Sequence, residues 1–150
     1  MRKTIKLENK KTIKINTSWN WPYIYQEYFG HDIIPDLVPL IDTFIDMTTG
    51  LLNGEDVDGE AISDKLYGLE VTTVTNLIWA LAKNADEDIP EVREWLEQYD
   101  RLPFDIILPE VLEALATSMM STKKAELLRE GAAALALRFT QSASPQQTED

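Results

Sequence analysis

The sequence predicts a mainly α, compact multi-helix domain carrying a short N-terminal β-hairpin. Three observations predict it. Two short runs near the start alternate apolar and polar residues with period 2. Apolar residues recur with a 3.6-residue period through most of the remainder. The 150 residues include no Cys and only one His, so neither a disulfide framework nor a multi-His metal staple carries the fold. A single domain of this length buries enough apolar surface to stand without such staples.

In the first run Ile5 and Leu7 face one way and Thr4, Lys6 and Glu8 the other. Ile13 and Ile15 repeat the pattern beside Thr12 and Lys14. Two half-buried strands over residues 1–16 follow, joined by a turn at Glu8-Asn9-Lys10-Lys11. Such a hairpin is marginal alone and must lie on something. Charge divides here. Six cations against Glu8 give residues 1–14 a charge of +5, which leaves −17 for the rest of a chain whose total is −12. No apolar run follows the basic start, so it is not a signal peptide, and no stretch is long enough to span a bilayer. The lysines fit a solvated strand face that discourages edge pairing. They also fit a dock for acidic surface on this chain or on a second copy, with Lys6, Lys10, Lys11 and Lys14 as the self-association candidates.

Residues 17–139 read as a helical domain. Thr17 or Ser18 caps a first helix to residue 29, closed by Gly30, with Pro22 in its first turn. Trp21, Tyr25, Tyr28 and Phe29 share one face. Asp32 caps a second helix whose apolar face holds Leu37, Leu40, Ile41, Phe44, Ile45 and Met47, with Asp36, Asp42 and Asp46 outside it. Residues 50–60 form an acidic loop. Calcium-loop spacing fails there, because Gly59 at the glycine position puts Gly54 first and Lys65 last.

Residues 61–84 are helical, with a break near Gly68. Val71, Val74, Leu77, Ile78, Leu81 and Ala82 are in phase and Trp79 lies off their line. Asp88 caps a helix from Ile89 or Pro90 to Tyr99. A helix from Pro103 to Met120, kinked or divided at Pro109, and one from Thr122 to Phe139 complete the domain. Residues 140–150 lack an apolar face and read as a disordered tail.

The chemistry that composition excludes is broad. Without Cys and with His31 alone, thiolate zinc, Cys nucleophiles and His-based triads fall away. Glycine-rich phosphate loops and zinc-protease or serine-hydrolase motifs are missing. The sequence therefore predicts no enzyme, no cofactor and no metal site. Its acidity argues against nucleic acid as a partner.

The stretch Asn16-Thr17-Ser18-Trp19-Asn20-Trp21-Pro22-Tyr23-Ile24-Tyr25-Gln26-Glu27-Tyr28-Phe29-Gly30-His31-Asp32 resembles the early segment of tail assembly chaperones from long, non-contractile-tailed bacteriophages. So does Ile78-Trp79-Ala80-Leu81-Ala82-Lys83-Asn84-Ala85-Asp86, followed by Ile89-Pro90, Glu94-Trp95-Leu96 and Tyr99-Asp100. Phe104-Asp105-Ile106 and Leu108-Pro109-Glu110 continue the likeness, which covers about residues 1–120 in order. The resemblance implies a protein that binds the tape measure protein and keeps that long helical chain soluble. It would help to recruit tail tube protein, work in the host cytoplasm and be absent from the mature virion.

Trp19, Trp21, Tyr25, Trp79 and Trp95 are the candidate partner contacts, since Trp and Tyr are enriched at interfaces. Each also fits a core position. The basic hairpin would join copies into a homo-oligomer. An acidic DNA mimic that inhibits a host enzyme is the alternative, but it needs acids at phosphate-like intervals. Here they gather at turns and helix starts, where capping explains them.

Overall fold

The computed structural model describes residues 1–54 and 71–143. The protein is a mainly α domain with a two-stranded N-terminal antiparallel hairpin, as expected. Strands β1 (Arg2–Lys6) and β2 (Thr12–Asn16) flank a 3₁₀ turn at Glu8–Lys10. Ile5 pairs with Ile13 across the ladder and Lys3 with Ile15. Ile5, Leu7, Ile13 and Ile15 are buried beneath the sheet. The period-2 reading thus has the correct register, since a slip of one residue would have turned every isoleucine outward.

Helix α1 (Trp21–Phe29) starts later than expected. Thr17 does not cap it. Its side chain is buried, with the hydroxyl donating to the Met1 carbonyl at 3.3 Å. Gly30 closes α1 at φ +80°, donating to the Gln26 carbonyl, in the left-handed conformation that glycine adopts without strain. Helix α2 (Ile34–Leu52) begins where the Asp32 carboxylate accepts the Ile34 N–H at 3.0 Å. Its predicted apolar face is inward, and Asp36, Asp42 and Asp46 are exposed.

Helix α3 (Val71–Ala85) departs most from the periodic reading. Every residue from Leu77 to Ala82 is buried, Trp79 included, whereas Val71 is exposed. β2 and α1 pack on one side of α3. On another, Val74 and Leu77 meet Leu37 and Leu40 of α2 around one small void, together with Leu108 and Leu112. A helix covered all round has no wet face for periodicity to reveal. Ala80 and Ala82 allow that close approach.

The expected helix over residues 89–99 shrinks to α4 (Val92–Leu96). Asp88 does not cap it. Its own N–H donates to the Asp86 carboxylate, Pro90 presents its carbonyl to Trp79, and Glu91 is extended before the helix starts. Helix α5 (Phe104–Ser118) runs undivided through Pro109. Helix α6 (Thr122–Ala143) continues past Phe139, so residues 140–143 are helix rather than tail. Leu128 is buried there, but Leu127 and Leu137 face solvent. α2, α5 and α6 pack on one another, and one continuous apolar cluster runs from Ile5 to Leu128. The expected acidic loop over 50–60 starts later, because residues 50–52 are the last turn of α2. Its residues 55–60, the expected helical stretch 61–70 with the Gly68 break, and the tail at 144–150 lie outside the described residues. Among the described residues no helix is long and apolar enough to cross a membrane.

Candidate partner-binding surface

The aromatic segment before and along α1 splits into two sides. Trp21 and Tyr25, four residues apart, point inward and are 1 % and 0 % exposed. Trp19, Tyr23 and Tyr28 remain 48 %, 71 % and 54 % exposed. Tyr28 leans edge-on against Trp79, with ring centroids 4.9 Å apart, and Phe29 does the same from 5.6 Å. Trp19 lies 6.1 Å from Trp21. Trp19 and Tyr28 are therefore braced by interior rings, which limits the side-chain entropy a partner must freeze.

A groove of about 750 Å³ opens between α1 and the turn that follows α3. Ile24, Glu27 and Tyr28 line one side, and Lys83, Asp86, Glu87 and Asp88 the other, with Arg2 at one end. Both cations are committed to main-chain oxygens. The Arg2 guanidinium donates to the Ala85 carbonyl at 2.8 Å. The Lys83 ammonium donates to the carbonyls of Glu87 at 2.5 Å and Ile89 at 3.2 Å. Positive charge at the C-terminus of α3 complements its dipole. No ion pair among the described residues engages Glu27, Asp86, Glu87 or Asp88. The groove thus presents carboxylates around aromatic and aliphatic surface.

Asn84 holds this arrangement in place. Its amide donates to the carbonyls of Asn16 and Ser18, each at 2.9 Å, while the Asn16 amide donates back to the Asn84 carbonyl at 3.4 Å. The strand-to-α1 connection is thereby pinned to the last turn of α3.

Of the five aromatic candidates only Trp19 reaches solvent to any extent. Trp21, Tyr25, Trp79 and Trp95 are core residues, and a partner cannot touch them without opening the fold. The Trp79 indole N–H is used on the Pro90 carbonyl at 2.9 Å. Trp95 sits apart from α1, edge-on to Tyr99 at 5.2 Å. Burial pushes the Tyr25 phenol above its usual pKa, the Asp36 charge adds to that and the Asn76 amide opposes it. Burial likewise raises Tyr99.

Sequence reasoning missed the outward role of Tyr23 and Tyr28, and missed Asn84 entirely. The usable signal for the tyrosines was Glu27 between them, which marks a wet face.

The four lysine candidates differ from one another. Lys6 and Lys14 share the outer sheet face, and Lys10 sits exposed in the turn at φ +64°. Lys11 is spent on its own chain, donating to the Gln98 carbonyl with its ammonium 5.5 Å from the Tyr99 ring centroid. Lys3, not among the candidates, reaches inward to Glu110 at 2.8 Å and Glu113 at 2.9 Å. The dock for acidic surface therefore exists within the chain, through Lys3. Among the described residues no group of three or more metal-binding side chains converges.

No family model matches the chain, and no curated protein or solved structure matches it either.

Proposed function

We propose that this chain is a tail assembly chaperone whose client is the tape measure protein, bound as amphipathic helices that carry Lys or Arg beside their apolar stripe. The observation that supports the reading is the exposure of Trp19, Tyr23 and Tyr28 around α1, with Tyr28 lining the acid-rimmed groove. Aromatic surface takes up an apolar helix face, and the unpaired Glu27, Asp86, Glu87 and Asp88 select cationic flanks. A body of net −17 keeps the loaded complex dispersed until tail tube protein encloses the client in the host cytoplasm. The DNA-mimic reading has less behind it, because these acids cluster at one turn rather than along a face.

Co-expression with tape measure fragments from the same phage genome tests the proposal. At least one otherwise insoluble fragment should become soluble and co-purify. The triple variant Trp19→Ala, Tyr23→Ala, Tyr28→Ala should lose that rescue while keeping its helical circular dichroism. Absence of rescue for every fragment spanning the client would defeat the proposal.

A further inference from the structure

The two long edges of the hairpin are not equivalent. Leu7 donates to the Lys11 carbonyl and Thr17 to the Met1 carbonyl, at 2.8 Å and 2.9 Å. With the observed register, these bonds make Lys3–Ile15 and Ile5–Ile13 the hydrogen-bonded pairs. The main-chain groups of Arg2, Thr4 and Lys6 then point away from β2, and those of Thr12, Lys14 and Asn16 point away from β1. The β2 edge is engaged at both its ends. The Tyr99 hydroxyl donates to the Thr12 carbonyl at 3.4 Å, and Asn84 takes the Asn16 carbonyl. No hydrogen bond among the described residues reaches the main chain of Thr4 or Lys6 on the β1 edge, and both residues are exposed.

An open edge is a template for another strand. Side-chain charge decides which one. A second β1 added antiparallel about Thr4 would set Arg2 opposite Lys6 twice on the outer face, with Lys14 in the next row. Like charges directly opposite are destabilising. The edge therefore repels its own copy. A strand with carboxylates on the outer face would meet the exposed Lys6 ammonium with opposite charge, while the Arg2 guanidinium stays turned to the Ala85 carbonyl. Its alternate residues would turn toward Ile5 and the apolar side of the sheet. We infer that the β1 edge is a binding site for an extended peptide in which acidic residues alternate with aliphatic ones, captured by strand addition. Arg2 borders the groove beside α1, but Thr4 and Lys6, which carry this site, do not line it, and the site does not depend on what fills the groove.

The probe is an end-capped heptapeptide of glutamate alternating with valine, titrated into the full chain labelled with ¹⁵N. Amide shifts should move at Thr4 and Lys6, and both amides should gain protection from exchange. Two control peptides isolate the cause. One replaces glutamate by lysine, and one carries N-methyl groups on alternate residues, which removes main-chain donors without changing charge. Each should bind about tenfold more weakly or worse. Thr4→Pro removes an N–H that the hairpin itself does not use and should weaken binding about tenfold. Unchanged Ile5 and Ile13 amide signals would show the ladder intact. Lys6→Glu should shift preference toward the lysine peptide and serves if Thr4→Pro disturbs the strand. The inference is overturned if the glutamate peptide does not bind, if the N-methylated peptide binds equally, if the shifts fall on the α1 groove, or if light scattering shows a dimer that Thr4→Pro abolishes.

Discussion

Gly131 of α6 lies so close to Thr48 of α2 that a β-carbon at residue 131 would stand 2.7 Å from both the Thr48 β-carbon and its carbonyl oxygen. Thr48 cannot yield, being fully buried with its hydroxyl donating to the Ile45 carbonyl at 2.9 Å. On an isolated helix Gly→Ala gains about 1 kcal/mol. Here the added methyl meets backbone. Gly131→Ala should lower unfolding free energy by about 1–3 kcal/mol, the cost of overpacking. Urea denaturation with an unchanged m-value measures it. A stabilised variant would mean that α6 can move off α2.

Asn84 should prove as important as a core residue despite carrying no apolar surface. Asn84→Ala strands the Asn16 carbonyl, takes one donor from the Ser18 carbonyl that Asn20 and Trp21 also serve, and should cost about 1–3 kcal/mol. Asn84→Asp should cost more, because it aims a carboxylate at two carbonyl oxygens and places negative charge at a helix C-terminus. Thermal melts of the two variants give the order.

The four tryptophans divide by accessibility. Trp19→Ala should change stability by no more than about 0.5 kcal/mol, as befits an exposed site. Trp21→Ala, Trp79→Ala and Trp95→Ala should each cost about 3–5 kcal/mol. Acrylamide should quench one class of indole fluorescence readily, and Trp19→Phe should remove that class. Equal quenching of the variant would contradict the burial of the other three.

Stability should fall at high pH. Burial pulls the Lys3 ammonium down, but hydrogen bonds and charge from Glu110 and Glu113 outweigh it and leave its pKa above the ordinary 10.5. Tyr25 and Tyr99 are raised above 10.0, burial being the leading cause for both. All three hold a proton more tightly folded than unfolded. Their contribution is present below the unfolded values and drains as pH rises through the folded ones, so the decline begins near pH 10. Lys3→Met, which leaves the partly buried Glu113 with the longer 3.8 Å pair to Arg129, should cost about 1–2 kcal/mol at pH 8. Its deficit should narrow above pH 10.5. Tyr25→Phe should stay within about 1 kcal/mol of the parent, since the Asn76 amide lies near the buried hydroxyl but no hydrogen bond of ordinary geometry holds it among the described residues.

Local rules recovered what local rules govern. Alternation around Ile5 and Ile13 sets the hairpin register, Gly30 ends α1, and the face from Leu37 to Met47 aims α2 inward. Periodicity leaves Trp79 open between core and surface because it lies off the stripe, whereas α3 is enclosed on more than one side and a residue off the stripe of an enclosed helix is still interior. Asp88 was misjudged because a side chain from α3 claims the Pro90 carbonyl, a contact that spacing within residues 86–91 does not encode. The candidate surface was legible in its residue types and not in its facing. Which aromatics of α1 turn out depends on where α3 and the 86–88 turn lie.

The hairpin leaves the ribosome long before the groups that hold it. Arg2 waits 83 residues for the Ala85 carbonyl, and Lys3 waits 110 for Glu113. A two-stranded ribbon is marginal in water, so residues 1–16 have no stable resting place during that interval. Like charges set opposite one another disfavour pairing between two such unsupported strands, so the density of lysine in this segment matters before the fold is complete as well as after.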